Sequence, residues 1–558
     1  MGQGARPSAR RRRLVTFVAA AAVASVLSCG GARADLPAPA ADPLERQSDA
    51  MLTAHPEVGP TFVLDLAGGS ADRDLLARTL QGVVNRAQAR LYVVDSSPDA
   101  QFAGTDEAVL DIYTGEGLVD VVGRGSLEDA LARFALEVPG YVVADPAVDW
   151  SVNVATTVAA AKGAVVATPA TVPLLDALGI RELDDVRGRY PNEVVAYWAT
   201  ASVYRGRLAY KGLANQRPDL HAARDLYVQQ GIFTMFTRPH RPSFLWLTFL
   251  TATFPRGLTY YGYVSDTGPE EIVAVGALSI LDQRLVPSDS ATNMSFHIAV
   301  GADRPRAVVA PRDHSGVAPC TPEGVNVVLG LTDGDNVITS IKQFQQPTFW
   351  ASPHRGELPM AWSMSPDLAV LAPALWDHYV RTATPNDDLV GMLGVAYQYP
   401  VVNRDRDRFL SESFALMDRL GLHTFWTLEP LGFPWWPDWP SYDAARTATT
   451  PDLILSGYDD LLGLLATLRQ PPVYVRPSGL VTLVSMLPTY GYTSDQHAGL
   501  VRDLVATAVS KRPLVNFYAA TNWTTDVDGL TAAMEPLRSE GVRFLSPGEA
   551  AACLRSGR

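Results

Sequence analysis

The chain has 558 residues, of which 47% are hydrophobic and 19% are charged, and its formal net charge is −13. This composition is typical of a globular protein with a large core, and the length allows three or four domains. The acidic charge argues against nucleic acid and anionic membranes as partners.

Residues 1–34 have the pattern of a secretory signal peptide. Arg10–Arg13 form a basic region, Leu14–Leu27 form an apolar region, and Ala32–Ala34 supply a cleavage site. Removal of the six arginines in this segment lowers the net charge to −19. We therefore predict a secreted, extracellular protein. A lipoprotein anchored through Cys29 is the alternative, and no other stretch predicts a membrane span.

The N-terminal half predicts several small α/β units. Residues 35–60 are rich in proline and alanine, which predicts a linker. From residue 61 onward, β-strand patterns alternate with helical patterns, and this order favours parallel α/β layers. We predict three N-terminal subdomains, at 61–115, 116–205 and 206–310.

Residues 311–558 predict a larger and more regular domain. About seven or eight strand–helix units follow one another, among them "VNVVLGLTD", "LPMAWSMS", "HTFWTLE" and "PLVNFYAATN". This pattern predicts a (β/α)7–8 TIM-like barrel, with a doubly wound open sheet as the rival fold. In a barrel, the residues that perform chemistry lie at the C-terminal ends of the strands.

Carboxylates occur at two of these predicted strand ends. Asp333 and Asp335 follow the first strand, and paired carboxylates can perform general acid–base catalysis or hold a metal. The alternative is an Asp-Gly turn in which Asp335 or Asn336 caps the next helix. Glu429 ends another strand in aromatic surroundings, where burial would raise the pKa of its carboxyl. Glu429 is therefore the candidate acid, with Asp333 or Asp335 as its partner.

Aromatic and amide side chains also gather at the strand ends. In "GVAYQYP", alternation places Tyr397 and Tyr399 on one face of a strand that Pro400 ends. Exposed aromatic rings stack on sugar rings, whereas many aromatic residues belong to a core. The candidate substrate-binding residues are Asn336, Trp362, Tyr397, Tyr399, Trp435, Trp436, Asn522 and Trp523.

Several segments, taken in order, resemble one bacterial family. "GLTDGDNV", "HRGELPMAWSMSPDLAVL" and "GVAYQYP" are similar to the family named for its G-x-G-Y-x-Y-P motif, and "TLQGVVNRAQARLYVVD" is similar to its N-terminal region. The resemblance extends over roughly residues 60 to 550. It implies a glycoside hydrolase that acts on a polysaccharide or oligosaccharide. Ala396 replaces the second glycine of the motif, and its methyl group is expected to narrow the cleft.

Two other functions stay open at this stage. "LTDGDN" is similar to the paired aspartates of metal-dependent polysaccharide deacetylases, although the H-x-x-x-H motif is missing. A non-catalytic carbohydrate-binding surface protein would need the aromatic residues without the acids. We predict no cofactor and no metal ligands, because neither nucleotide-binding nor metal-binding motifs occur. Carbohydrate is the expected partner, and the oligomeric state stays open.

Two cysteines remain after the predicted cleavage, Cys320 and Cys553. Cys320 precedes the first predicted barrel strand, and Cys553 lies in the last helix. The last strand of a barrel neighbours the first, so we predict a disulfide across this seam in an oxidising compartment. Two separate buried thiols are the alternative.

Overall fold

The structure is a computed structural model. It describes residues 42–97, 102–208, 212–265, 267–428, 439–456, 473–485, 489 and 491–556.

The N-terminal half alternates strands and helices, as the sequence predicts. In chain order its elements are α1 (Pro43–Met51), β1 (Glu57–Asp65), α2 (Ala71–Val84), β2 (Gln88–Val94), α3 (Thr105–Gly115), β3 (Val121–Gly125), α4 (Leu127–Phe134), β4 (Tyr141–Val143), α5 (Ser151–Lys162), β5 (Val165–Ala167), α6 (Val172–Asp176), β6 (Glu182–Asp185), α7 (Glu193–Tyr204), β7 (Gly212–Asn215), α8 (Arg224–Gln230), β8 (Phe233–Met235), α9 (Phe244–Thr251), β9 (Thr259–Gly262), α10 (Gly268–Ile280), β10 (Arg284–Pro287) and α11 (Met294–His297).

Within the described part of this half, the strands form three small parallel sheets. Their strand orders are β2-β1-β3, β5-β4-β6 and β10-β9-β7-β8. Parallel neighbours require a helix between consecutive strands, which explains the alternation in the sequence. Because β3 pairs with β1, the strand at 121–125 belongs to the first sheet, and not to the second subdomain predicted at 116–205.

The segment predicted as a linker, 35–60, contains regular structure. Its residues 43–51 form α1, and β1 begins at Glu57. Pro43 occupies the first helical position, where the missing N–H costs nothing, and the Asp42 side chain accepts a hydrogen bond from the Leu44 N–H (2.7 Å). The proline therefore starts a helix here, and the linker prediction is wrong for these residues.

The C-terminal half contains one large sheet. Its elements are β11 (Val325–Thr332), α12 (Val337–Ile341), β12 (Met360–Met364), α13 (Leu368–Leu371), α14 (Pro373–Thr382), β13 (Asp387–Met392), α15 (Arg406–Leu420), β14 (Thr424–Thr427), α16 (Trp439–Ala445), β15 (Leu453–Ser456), β16 (Val473–Val475), β17 (Val481–Val484), α17 (Ser494–Ala506), β18 (Asn516–Thr521), α18 (Val527–Met534), β19 (Val542–Phe544) and α19 (Pro547–Ser556).

This sheet is the curled, barrel-like sheet that the sequence predicts. Among the described residues, seven parallel strands follow the order β17-β15-β14-β13-β12-β11-β18, and β16 is added antiparallel to β17. The end strands β17 and β18 approach each other. Every residue of β11 is buried, as expected for a central parallel strand covered on both faces.

The seam of the curled sheet is closed at its base by β19 and a disulfide. β19 pairs with the first three residues of β11. Cys553, in the helix after β19, forms a disulfide with Cys320, and their Cα atoms lie 5.1 Å apart. The predicted disulfide is therefore confirmed.

Buried polar contacts join the two halves. The Gln47 amide in α1 donates to Oδ1 of Asp367 in the C-terminal half (2.6 Å). Lys342 and Asp106 form a buried ion pair (2.9 Å). Such contacts fix the N-terminal sheets against the curled sheet, because a buried charge without its partner is costly. None of the described helices is long and apolar enough to cross a membrane.

Candidate active site

The turn after β11 holds Asp333 in a strained conformation. Asp333 has φ +93°, a region that L-residues rarely adopt, and the next residues make a tight turn in which the Asn336 N–H donates to the Asp333 carbonyl (3.1 Å). A Cβ at Gly334 would overlap the backbone oxygen of Ser363 in β12, so only glycine fits there. Strain of this kind at a polar residue is frequent at functional sites.

The predicted helix cap is found at Asn336. Its side-chain oxygen accepts a hydrogen bond from the Ile338 N–H (3.2 Å) at the start of α12. The Asn336 side chain is therefore engaged by its own helix.

Asp333 lies beside Trp523, which follows β18. The Trp523 indole N–H donates to Oδ2 of Asp333. Burial raises the pKa of the Asp333 carboxyl, and the indole hydrogen bond opposes this rise. Asp333 is thus a carboxyl group whose environment favours the protonated form. Asp333 and Asp335 both keep part of their surface exposed to solvent.

The "GVAYQYP" segment does not continue a strand. β13 ends at Met392, and Leu393, Gly394 and Ala396 have φ values of +59°, +67° and +106°. These left-handed residues turn the chain away from the sheet, so the prediction of a strand through Tyr399 is wrong. Alternation along a strand requires extended backbone, which this segment lacks.

The same residues explain the second glycine of the motif. Ala396 is buried and its φ of +106° is one that glycine adopts without strain. The glycine that the motif has at this position would adopt this backbone conformation without the strain that alanine has here. The narrowing of a cleft expected from the Ala396 methyl group has no counterpart here, because the methyl group lies in the core.

The segment crosses instead to the N-terminal half. The Tyr397 N–H donates to the Leu285 carbonyl in β10 (2.7 Å), and the Tyr399 N–H donates to Oγ of Ser279 in α10 (2.9 Å). These bonds hold the two tyrosines between the halves of the molecule.

The Tyr397 hydroxyl bonds to a glutamate that no sequence motif indicates, and the Tyr399 hydroxyl lies next to that of Tyr397. The Tyr397 hydroxyl donates to Oε1 of Glu271 (2.6 Å), and the Tyr399 hydroxyl lies 3.2 Å from that of Tyr397. The Tyr263 hydroxyl donates to Oε2 of Glu271 (2.6 Å). Two phenols therefore fix the carboxylate of Glu271 in position.

Glu271 and Tyr263 come from the N-terminal half. Tyr263 directly follows β9, and Glu271 lies in the first turn of α10. Acidic residues in the first turn of a helix are common for electrostatic reasons, and this explains why Glu271 does not stand out in the sequence.

Three carboxylates act on the hydroxyl of Tyr263. Burial and the charge of Glu271 raise its pKa well above the usual value, and the charges of Asp333 and Asp335 raise it further. The strand ends of the N-terminal sheet and of the curled sheet thus bring Glu271, Asp333 and Asp335 to one site. A crevice at the carboxyl ends of parallel strands is the usual place for a ligand in α/β proteins.

An open cavity of about 580 Å³ adjoins this site. Trp523 lies in its wall with 39% of the residue exposed, and its ring also contacts Phe102 of the N-terminal half (centroids 6.1 Å apart). Asn522 also lines the cavity but is buried, and its amide donates to Oγ1 of Thr339 (3.2 Å). We call this feature, lined by Gln346, Thr348, Phe349, Thr493–Asp495, Asn522–Asp526, Gly529 and Ala532–Ala533, the Trp523 cavity.

Segments in both halves of the chain match known family domains. Residues 324–555 match the family domain described as "GxGYxYP putative glycoside hydrolase C-terminal domain", and residues 138–208 match the second domain of the GxGYxYP N-terminal region. Together the two matches span more than half of the chain.

The chain belongs to the GxGYxYP family.

A crystal structure of a "putative hydrolase" from Bacteroides thetaiotaomicron VPI-5482 has a similar fold. It is 19% identical in sequence, with a TM-score of 0.71, and the alignment covers 90% of this chain and 96% of that one. No curated protein matches the chain.

The remaining predicted site residues fall into two groups in this GxGYxYP protein. Trp362 is fully buried, its indole N–H donates to Oδ1 of Asp387 (2.9 Å), and its ring packs against Trp350. No face of Trp362 is left for a substrate, so we place it in the core. Glu429, Trp435 and Trp436 lie outside the described residues.

The side chains that commonly bind metals are dispersed in the described part of the chain. Among these residues, no group of three or more His, Cys, Asp or Glu side chains is arranged to hold a metal ion.

Proposed function

We propose that the protein is a secreted glycoside hydrolase that cleaves a polysaccharide or oligosaccharide with two carboxyl groups, Asp333 and Glu271. Family membership supports the class of reaction. The observation that carries the assignment of residues is the hydrogen bonding of Glu271 to Tyr263 and Tyr397, together with the Asp333 charge, which is near enough to raise the pKa of the Tyr263 hydroxyl.

Asp333 has the properties of the general acid. Glycosidases need one carboxyl group that holds its proton near neutral pH and a second that stays charged. Burial raises the pKa of Asp333, so it can retain a proton and donate it to the glycosidic oxygen as the C–O bond breaks. This assignment moves the acid from Glu429, the sequence-based candidate, to Asp333.

Glu271 has the properties of the second carboxylate. Two phenol donors stabilise its charged form and orient it, so it can activate water or bond directly to the anomeric carbon. Tyr397 and Tyr399 are almost fully buried. We therefore assign them to positioning Glu271 and not to direct substrate binding.

Secretion is supported by the signal-peptide pattern of residues 1–34 and by the disulfide between Cys320 and Cys553. Disulfides form and persist in oxidising compartments outside the cytoplasm. A polymeric carbohydrate substrate is consistent with such a location.

The test is a screen of the purified protein without residues 1–34 against a panel of polysaccharides, with new reducing ends as the readout. Glu271→Gln and Asp333→Asn should each lower the rate by about 100-fold or more while the fold is kept. The matched control is Glu270→Gln, because Glu270 pairs instead with the exposed His240 (2.8 Å). Full activity in Glu271→Gln, or binding of polysaccharide without any cleavage by the wild type, would overturn the proposal.

A further inference from the structure

The Trp523 cavity has the size of a ligand site. Its volume of about 580 Å³ lies within the range of roughly 300–1,000 Å³ that small-molecule sites occupy. It is built from the ends of secondary structure elements: Asn522–Asp526 connect β18 to α18, and Thr493–Asp495 begin α17.

The cavity shares one residue with the carboxylate site. The Trp523 indole N–H bonds to Asp333, and the same ring forms part of the cavity wall. Phe102 supports the ring through an aromatic contact. A chain whose bond is broken at Asp333 would therefore continue across Trp523 into the cavity.

The lining has the chemistry of a carbohydrate subsite. Trp523 offers an exposed aromatic face, on which the C–H face of a sugar ring can stack. Around it lie hydroxyl and amide groups, of Thr348, Ser494, Thr524 and Gln346. The Gln346 amide can donate to and accept from sugar hydroxyls, and the Thr524 hydroxyl, which donates to the Tyr492 carbonyl (2.8 Å), can accept from them.

The charges of the cavity discriminate between classes of sugar. Among the described residues that line the cavity, the two charged ones are acids, Asp495 and Asp526. The adjoining site adds three more acids, Asp333, Asp335 and Glu271. No Lys, Arg or His is found among the described residues that line it. A uronate or sulfate group would enter an acidic surrounding without a cation to pair with, whereas an uncharged or amino sugar would not be repelled.

We propose that the Trp523 cavity binds the sugar residues next to the cleaved bond and selects uncharged or amino sugars over acidic ones. The position of the Trp523 cavity next to the cleaved bond rests on the proposed function. Sugar binding in the cavity and the selection by charge do not depend on it. Trp523 is the stacking platform, and the acids exclude anionic glycans.

Binding is measured by calorimetry with the Glu271→Gln protein, so that turnover does not consume the ligand. The probes are β-1,4-linked hexasaccharides of glucose, xylose and mannose, a chitosan hexasaccharide, and a polygalacturonate hexasaccharide. We expect binding of at least one uncharged or amino probe, and weaker or absent binding of polygalacturonate. Tighter binding of polygalacturonate than of every other probe, or binding of none, would overturn the proposal.

Two variants locate the binding and test its cause. Trp523→Ala should weaken the affinity for the best probe by about 10-fold or more, and unchanged affinity would count against the platform. Asp495→Lys reverses a charge at an exposed position, and should raise the affinity for polygalacturonate by about 3-fold or more at low ionic strength. Asp503→Lys, exposed on the same helix but outside the cavity, is the matched control and should leave that affinity unchanged. Equal effects of the two lysine variants would overturn the charge argument.

Hydrolysis is followed separately on the wild type. A protein that binds these probes through Trp523 but cleaves none of them would refute the proposed hydrolase and keep the binding site. If the protein cleaves glycans, and neither Trp523→Ala nor Asp495→Lys changes glycan binding, the proposed hydrolase is kept and the proposed binding site is refuted.

Discussion

Replacing the buried Asp367 with asparagine should remove much of the pH dependence of stability. Asp367 is fully buried at the start of α13, and Oδ1 accepts a hydrogen bond from the Gln47 amide (2.6 Å). Burial raises the pKa of this carboxyl from its ordinary 3.8 to about 7. The folded state therefore keeps a proton that the unfolded state releases between about pH 4 and pH 7.

The sign and size of the effect follow from this difference. The stability that the neutral carboxyl contributes is fully present below about pH 4 and is lost as the pH rises through about 7. A shift of about three units is worth about 4 kcal/mol over the whole window, and about 3 kcal/mol of it falls between pH 5 and pH 8. The side-chain amide of the Asp367→Asn variant cannot titrate, and its oxygen can still accept the hydrogen bond from Gln47.

The assay is unfolding in urea at pH 5 and pH 8. The difference in free energy of unfolding between Asp367→Asn and the wild type should grow by about 3 kcal/mol in favour of the variant between these pH values. Asp407→Asn is the control, because the Asp407 side chain is 84% exposed. The difference in free energy of unfolding between this variant and the wild type should change by less than about 0.5 kcal/mol from pH 5 to pH 8. The same difference at both pH values for Asp367→Asn would refute the reasoning.

Three further variants test the backbone and the disulfide. Ala396→Gly should raise the free energy of unfolding by about 0.5 kcal/mol. Relief of a strained φ, worth about 1–3 kcal/mol, exceeds the sum of the entropy cost of glycine, about 0.5–1 kcal/mol, and the loss of a buried methyl group, about 0.8 kcal/mol, and a lower stability in urea would contradict this. Gly334→Ala should lower the melting temperature sharply, because the added Cβ would overlap a backbone oxygen of β12. Gly499→Ala is the control, since open space surrounds Gly499 in α17. Equal melting temperatures of the two variants would contradict the steric argument. Cys320→Ser should cost about 2–5 kcal/mol of stability, and two reactive thiols in the unfolded, unreduced wild type would show that Cys320 and Cys553 are not bonded.

Much of the fold could be predicted from the sequence because the pattern is local. Strand and helix segments alternate, each parallel pair needs a crossover helix, and the curled sheet follows from the number of such units. The disulfide followed as well, since the first and last strands of such a sheet are neighbours. The proline content does not predict the helix at 43–51, because Pro43 lies at the helix start, where proline is favourable.

The site could be predicted only in part. The sequence predicts Asp333 and Trp523 as site residues because each follows a strand of the curled sheet, and the structure brings them into contact. The sequence does not predict Glu271, since the position of this residue depends on how the two halves of the chain pack against each other. The sequence shows the tyrosine motif but not its role. The left-handed residues Leu393, Gly394 and Ala396 redirect Tyr397 toward Glu271, and the alternation of the sequence does not predict that turn.

The most direct test of the composite site is a double-mutant cycle in kcat/KM on the best substrate from the screen. Glu271→Gln, Asp333→Asn and the double variant are compared with the wild type. If the two carboxyl groups act as one unit, each single variant loses about 100-fold or more, and the double variant is little worse than the poorer single variant. Losses that multiply in the double variant, or a Glu271→Gln protein with wild-type kcat/KM, would contradict a shared active site.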